Sequence, residues 1–128
     1  MTLTDSARRL LTKVEVLRDL EQKVYELMDQ HEKKRPLWMP NELLGPPPGE
    51  DPDEHVATLR KRAQGIPDPA RAALALNMLR EEGLPHFHRL IAVHLGDDSH
   101  WGAWNNLWTA EEDRHGVILH DYLRDTRL

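Results

Sequence analysis

From about residue 68 to 95, and again from about 99 to 125, apolar side chains recur every three or four positions, and only Gly96, Asp97, Asp98 and Ser99 divide the two runs. That spacing is the period of an α-helix, and two runs of this length commit nearly half of the chain to helices. In the first run Leu74, Leu84, Ala92 and Leu95 share one face, while Leu76, Leu79 and Leu90 lie on another. Apolar positions on more than one side predict a helix buried all round. In the second run Trp101, Trp104, Trp108, Leu119 and Tyr122 fall on a single inner stripe.

The rest of the chain reads the same way. Leu10, Val14, Leu17, Leu20, Val24 and Leu27 give an amphipathic helix from residue 5 to about 33, closed by Pro36 and Pro40. The stretch "RPLWMPNELLGPPPGEDPDE" is turn chemistry, an ordered connector with Trp38 as its anchor. A short helix spans about 53 to 64 and ends at Gly65 and Pro67. Asp68 and Pro69 then form an N-cap and first-turn pair for the next helix. No β-alternation and no internal repeat occurs, so the expected class is all-α. With 128 residues the chain is expected to be one domain.

Composition narrows the chemistry. There are no cysteines, which removes disulfides, thiolate metal sites and cysteine nucleophiles, so any metal is held by oxygen and imidazole. Net charge is −5 and the basic residues are scattered apart from Lys33, Lys34 and Arg35, which is not a nucleic-acid footprint. That cluster reads most simply as a solvated helix end, where positive charge suits the helix dipole. No stretch approaches the roughly 20 apolar residues of a membrane span. The N-terminus lacks a signal-peptide pattern, so the expected compartment is the cytoplasm.

Against this background the segment "LWTAEEDRHGVIL" is anomalous. At about 100° per residue Glu112 falls on the tryptophan stripe, and His115 lies beside it one turn on. The preceding helix repeats the pattern, with Glu81 on the Leu74–Leu84–Ala92 face and His88 two turns further along it. A buried carboxylate costs several kcal/mol unless it is paired, hydrogen-bonded or neutralised by a cation. Without cysteine, iron or manganese is the natural cation. A Glu–His ion pair with no metal explains the same spacing, and His88 is expected to be a satisfied core histidine. Pro85 removes the amide that would bond the carbonyl of Glu81 and is expected to kink the helix there.

Four blocks, in order, carry a resemblance. "LWMPNELL", "HVATLRKRAQGIPD", "LREEGLPHF" and "LWTAEEDRHGVILHDYL" resemble the "WxPxDFLP", "LRERAKEIPD", "TEEALPTY" and "WTAEE-x-RHG" segments of the soluble acyl-carrier-protein desaturases, over roughly residues 20 to 128. The resemblance implies a ferritin-like, carboxylate-bridged diiron enzyme of fatty-acid metabolism. Such enzymes insert a cis double bond into an acyl chain carried on acyl-carrier protein, with dioxygen and electrons from a ferredoxin. It implies Glu81 as a terminal carboxylate ligand, Glu112 as a bridging carboxylate and His115 as the imidazole ligand, with Glu82 and Glu111 as neighbours. Trp38 matches a tryptophan near that family's electron path, and Lys33, Lys34 and Arg35 lie where a basic surface could meet the acidic carrier.

The departures bear on activity. A diiron centre of this kind draws a glutamate from each of two helices and a Glu-x-x-His from each of two others, and this chain carries one of each. The expected fold is therefore an incomplete ferritin-like bundle, half of the four-helix diiron core plus an N-terminal helix, with half an iron site per chain. Three readings follow: a partial desaturase domain inactive alone, a homodimer in which two copies of Glu81, Glu112 and His115 rebuild the ligand set, and a non-catalytic module that binds acyl-carrier protein.

Overall fold

The computed structural model describes residues 4–128, apart from the side chains of Ser6, Leu10 and Leu11, so the expected place of Leu10 on its helix stripe lies outside the described residues. Five helices follow in order, and the described residues contain no strand: α1 (Asp5–Lys34), α2 (Pro40–Leu44), α3 (Pro52–Ala63), α4 (Asp68–Leu95) and α5 (His100–Thr126). The class is all-α, as the spacing predicts. No described helix is long and apolar enough to cross a membrane.

Local chemistry explains the boundaries. Thr4 caps α1 by accepting from the Ala7 amide at 3.3 Å, and Arg35 leaves the helix in extended conformation because Pro36 follows. Asp51 caps α3, accepting from the amides of Asp53 and Glu54 at 2.9 and 3.1 Å, with Pro52 in the first turn. Gly96 ends α4 at φ 78°, a left-handed conformation that suits glycine. Ser99 opens α5 by accepting from the Gly102 amide at 3.0 Å.

The helix α2 departs from the sequence reading, which took this stretch as turns alone. Pro40 sets its first φ, and the Glu42 carboxylate accepts from the Met39 amide at 2.9 Å. Five residues are too few for an apolar period to show.

The chain divides into two compact units, and α4 and α5 contribute to both. One unit contains the N-terminal segment through Pro36 together with His88–Trp108. Here α1 turns Leu17, Glu21, Val24 and Met28 inward, whereas Val14, Leu20 and Leu27 are exposed. Its covered face is thus rotated from the stripe that hydrophobicity alone selects. The inward acid has a use: the Glu21 carboxylate accepts from the His100 amide at the start of α5, and Trp101 Nε1 donates to the Leu17 carbonyl at 2.9 Å. Trp104 and Trp108 stack with centroids 5.1 Å apart, and Trp101 meets Trp104 edge-on.

In the same unit His88 is buried, and its Nδ1 lies 3.0 Å from Asn105 Oδ1, while Asn105 Nδ2 donates to the His88 carbonyl at 3.1 Å. That second bond fixes the amide so that its oxygen faces the ring, and Nδ1 therefore carries the proton. His88 is thus held as a core histidine, with Trp108 edge-on against it at 4.2 Å.

The other unit comprises Leu37–Phe87 and Thr109–Leu128. His55 Nε2 lies 2.9 Å from the Leu44 carbonyl, and Arg60 Nε donates to the Asp125 carbonyl at 2.7 Å, tying α3 to the connector and to the end of α5. Arg71 donates to the Ile66 and Gln64 carbonyls and closes the turn between α3 and α4.

The prediction that α4 is buried all round is corrected. Leu74, Glu81, Leu84, His88 and Leu95 lie on its covered face, but Leu76, Leu79, Phe87, Leu90 and Val93 are at least half exposed. Helical phase puts that second row on the side opposite Glu81, away from the α5 stripe.

Candidate metal centre

In the second unit α4 supplies Glu81, and α5 supplies Glu112 and His115 one turn apart. One donor atom from each lies within 4.8 Å of the other two. His115 Nδ1 is 2.8 Å from Glu112 Oε2. Both glutamates are half-buried, and His115 is the outer member, with 48% of its side chain exposed. Glu81 Oε2 is inaccessible to solvent and has no hydrogen-bond partner. A buried carboxylate oxygen without a donor is a position that a cation or a proton must satisfy.

Trp38 reaches this site from the connector before α2. Its ring stacks on His115 with centroids 5.8 Å apart and an interplanar angle of 17°, and the Arg114 guanidinium sits 5.8 Å from the indole centroid. The anchor expected of Trp38 is therefore a contact with two successive residues of α5. The contact covers one face of His115 and limits how that imidazole can turn.

Electrostatics agree with the packing. The Glu81 carboxyl is pushed above its usual 4.5, first by burial, then by the neighbouring Glu112 carboxylate, which repels a second charge and can accept from Glu81 only when Glu81 is protonated, while His115 and Arg80 act the other way. The protonated form is the one favoured by the fold. Its contribution to stability is thus present below pH 4.5 and lost as pH rises through the raised value. A cation needs the carboxylates ionised and is held more tightly over the same interval. Melts of metal-free wild type and Glu81→Gln should therefore diverge as pH rises from 4.5, with the wild type falling behind. Curves that stay parallel would contradict this.

Beside the triad lies a cleft of about 390 Å³ lined by Glu81, Glu82, Pro85, Asp113, Val117 and His120, among others. Glu82 is exposed and Glu111 half-buried, and neither joins the triad. Helix α4 continues through Pro85. Lys33, Lys34 and Arg35 belong to the other unit. Lys33 and Lys34 are exposed at the end of α1 and Arg35 beyond it is half-buried; Lys33 pairs with Asp29 at 2.6 Å and Arg35 approaches Glu32 at 3.9 Å. Three residues of structural weight escaped the sequence reading: Asn105, Arg114 and the buried Gly116. Only the stripe position of Asn105, seven before Glu112, hints at its burial.

Residues 12–128 match the fatty acid desaturase family. The chain belongs to that family. Over 127 residues it is 35% identical to a Mycobacterium tuberculosis protein named as the acyl-(acyl-carrier-protein) desaturase DesA1, a match covering 91% of this chain and 35% of that one. It is 34% identical over 119 residues to the chloroplastic stearoyl-(acyl-carrier-protein) 9-desaturase of Ricinus communis, covering 87% of this chain and 30% of the relative. The potato stearoyl desaturase is 39% identical over 93 residues, 67% of this chain and 24% of that one. This desaturase-family chain thus spans about a third or less of the length of these relatives. Its all-α structure is the ferritin-like helical fold of the family.

Proposed function

We propose that the chain is a partial acyl-carrier-protein desaturase domain that holds one half of a carboxylate-bridged diiron centre. Glu81 and Glu112 would hold the iron through their carboxylates and His115 through its imidazole. The observation that carries this reading is the convergence of three donor atoms from two helices within 4.8 Å, one of the carboxylates keeping a buried oxygen without a partner. Oxygen and imidazole donors without thiolate suit iron. When bound, iron supplies the dioxygen and electron chemistry by which such enzymes desaturate an acyl chain. The chain's own residues fix geometry: the pairing with Glu112 and the stacking on Trp38 orient His115, and the α4–α5 packing shields Oε2 of Glu81 from water.

The whole reaction belongs to the same proposal. Its substrate is an acyl chain on acyl-carrier protein, its electron donor is of the ferredoxin type, its compartment is the cytoplasm, and Lys33, Lys34 and Arg35 offer the carrier a basic patch. Trp38, against His115, is the residue assigned to the electron path. One glutamate and one Glu-x-x-His are half of the required ligands. A second copy of the chain about a two-fold axis supplies the same set again, because a symmetric interface presents each residue twice, and the exposure of His115 leaves that side open to it.

Anaerobic loading with ferrous iron, read by iron analysis and sedimentation, tests the proposal. About one iron per chain in a two-chain particle is expected from the ligand count. An iron-free monomer would rule out the shared centre. Acyl-carrier protein bound equally well after Glu112 and His115 are both replaced by alanine, in a chain that takes up no iron, would favour a binding module instead.

A further inference from the structure

We propose that Gly116 is a positioning residue of this metal centre: the space between α5 and Glu81 takes nothing larger than a methyl, so a small residue here lets α4 and α5 pack closely enough for Glu81 to share one site with Glu112 and His115. The inference rests on the ligand reading above and adds a residue to it.

Gly116 is buried in the middle of a 27-residue helix, directly after His115 and one turn after Glu112. Glycine is a poor choice inside a helix, since it gives up more backbone freedom than alanine and offers no packing. Its conformation is ordinary, because the positive-φ glycines are Gly49 and Gly96. What distinguishes the position is its neighbour. A Cβ built on Gly116 would stand 3.4 Å from Glu81 Cβ, 3.8 Å from the Glu81 carbonyl carbon and 4.0 Å from the Glu82 amide nitrogen.

The atoms it faces are the stem and backbone of a ligand residue, which cannot swing aside as the end of a long side chain can. A single methyl fits at ordinary contact distance. Valine adds two carbons beyond that methyl, which already stands in contact with Glu81 Cβ, and a γ-carbon turned toward α4 pushes Glu81 outward. Glu112 and His115 lie on the same helix as the substitution and keep their mutual spacing. The damage therefore falls on Glu81's reach alone.

Cobalt(II) titration of the full chain, followed by its visible absorption bands, separates the possibilities. Wild type and Gly116→Ala are expected to bind with the same bands and affinities within about threefold, whereas Gly116→Val loses at least tenfold in affinity and changes its bands, with helical circular dichroism retained. A Gly116→Val protein that binds cobalt with wild-type affinity and spectrum overturns the positioning role while leaving the ligand assignment intact. Failure of the wild type to bind cobalt at all overturns the ligand assignment, and the inference with it. Should valine reduce the helical signal, Gly116→Ser, one heavy atom larger than alanine, carries the test: weakened binding with full helicity supports the role, and binding equal to glycine's overturns it.

Discussion

Replacing Glu112 by glutamine is expected to abolish tight binding of ferrous iron while leaving the metal-free protein folded and nearly as stable as before. Glutamine keeps the shape of the side chain but loses the charge needed to bridge cations. Two effects oppose each other in the metal-free chain. The substitution removes the ion pair with His115, which is half exposed and therefore worth at most about 1 kcal/mol. It also removes the carboxylate that faces Glu81 and helps to hold that group's proton on. The net change should stay within about 1 kcal/mol. Iron at a hundred times its dissociation constant adds about 2.7 kcal/mol to the wild type, and this gain should vanish in the variant. If the Glu–His spacing served only as a metal-free ion pair, iron would shift neither melting curve. Paired thermal melts with and without iron therefore decide between the two readings.

The largest loss of stability is expected in the other unit, from Asn105→Leu. Asn105 is buried and bonds His88 twice, once at the ring and once at the backbone carbonyl. Leucine is similar in size but removes both bonds. Withdrawing a partner from a buried polar group costs about 1–3 kcal/mol, so the pair together should cost about 3 kcal/mol. For a chain of this size that is a fall of about 10 °C in Tm. A change below about 1 kcal/mol would mean that the bridge between α4 and α5 is incidental. A double-mutant cycle with His88→Leu should show coupling through the ring contact, since removing both side chains leaves no stranded ring nitrogen, whereas the backbone carbonyl of residue 88 loses its Asn105 donor in either background.

Helix boundaries were the most legible part of this chain. The Asp68–Pro69 start and the Gly96 stop delimit α4, and Gly65 with Pro67 marks the end of α3, because glycines and prolines act through a few adjacent atoms. Apolar spacing also put Glu81 and Glu112 on covered faces correctly. What spacing could not say was which apolar face finds a partner. Leu76, Leu79 and Leu90 look as buried in the sequence as Leu74 and Leu84, and only tertiary packing separates them. The same limit hid the inward turn of Glu21, whose charge is explained by an amide almost eighty residues away. The stack of Trp38 on His115 is equally non-local. Gly116 stood inside the family-like "RHG" segment without a signal of its own, since a close backbone approach leaves no trace but the glycine.

The exposed row on α4 has a consequence for handling the protein. Leu76, Leu79, Phe87, Leu90 and Val93 form an apolar face of the kind that promotes association when uncovered. Sedimentation measurements are therefore best made over a range of concentrations, so that association through this row is distinguished from the metal-linked pairing proposed above.

The most direct test is anomalous diffraction at the iron edge from crystals loaded with ferrous iron under anaerobic conditions. The expected result is a peak within bonding distance of a carboxylate oxygen of Glu81, a carboxylate oxygen of Glu112 and a ring nitrogen of His115. A loaded crystal with no peak among these three residues, or with iron bound elsewhere, would contradict it.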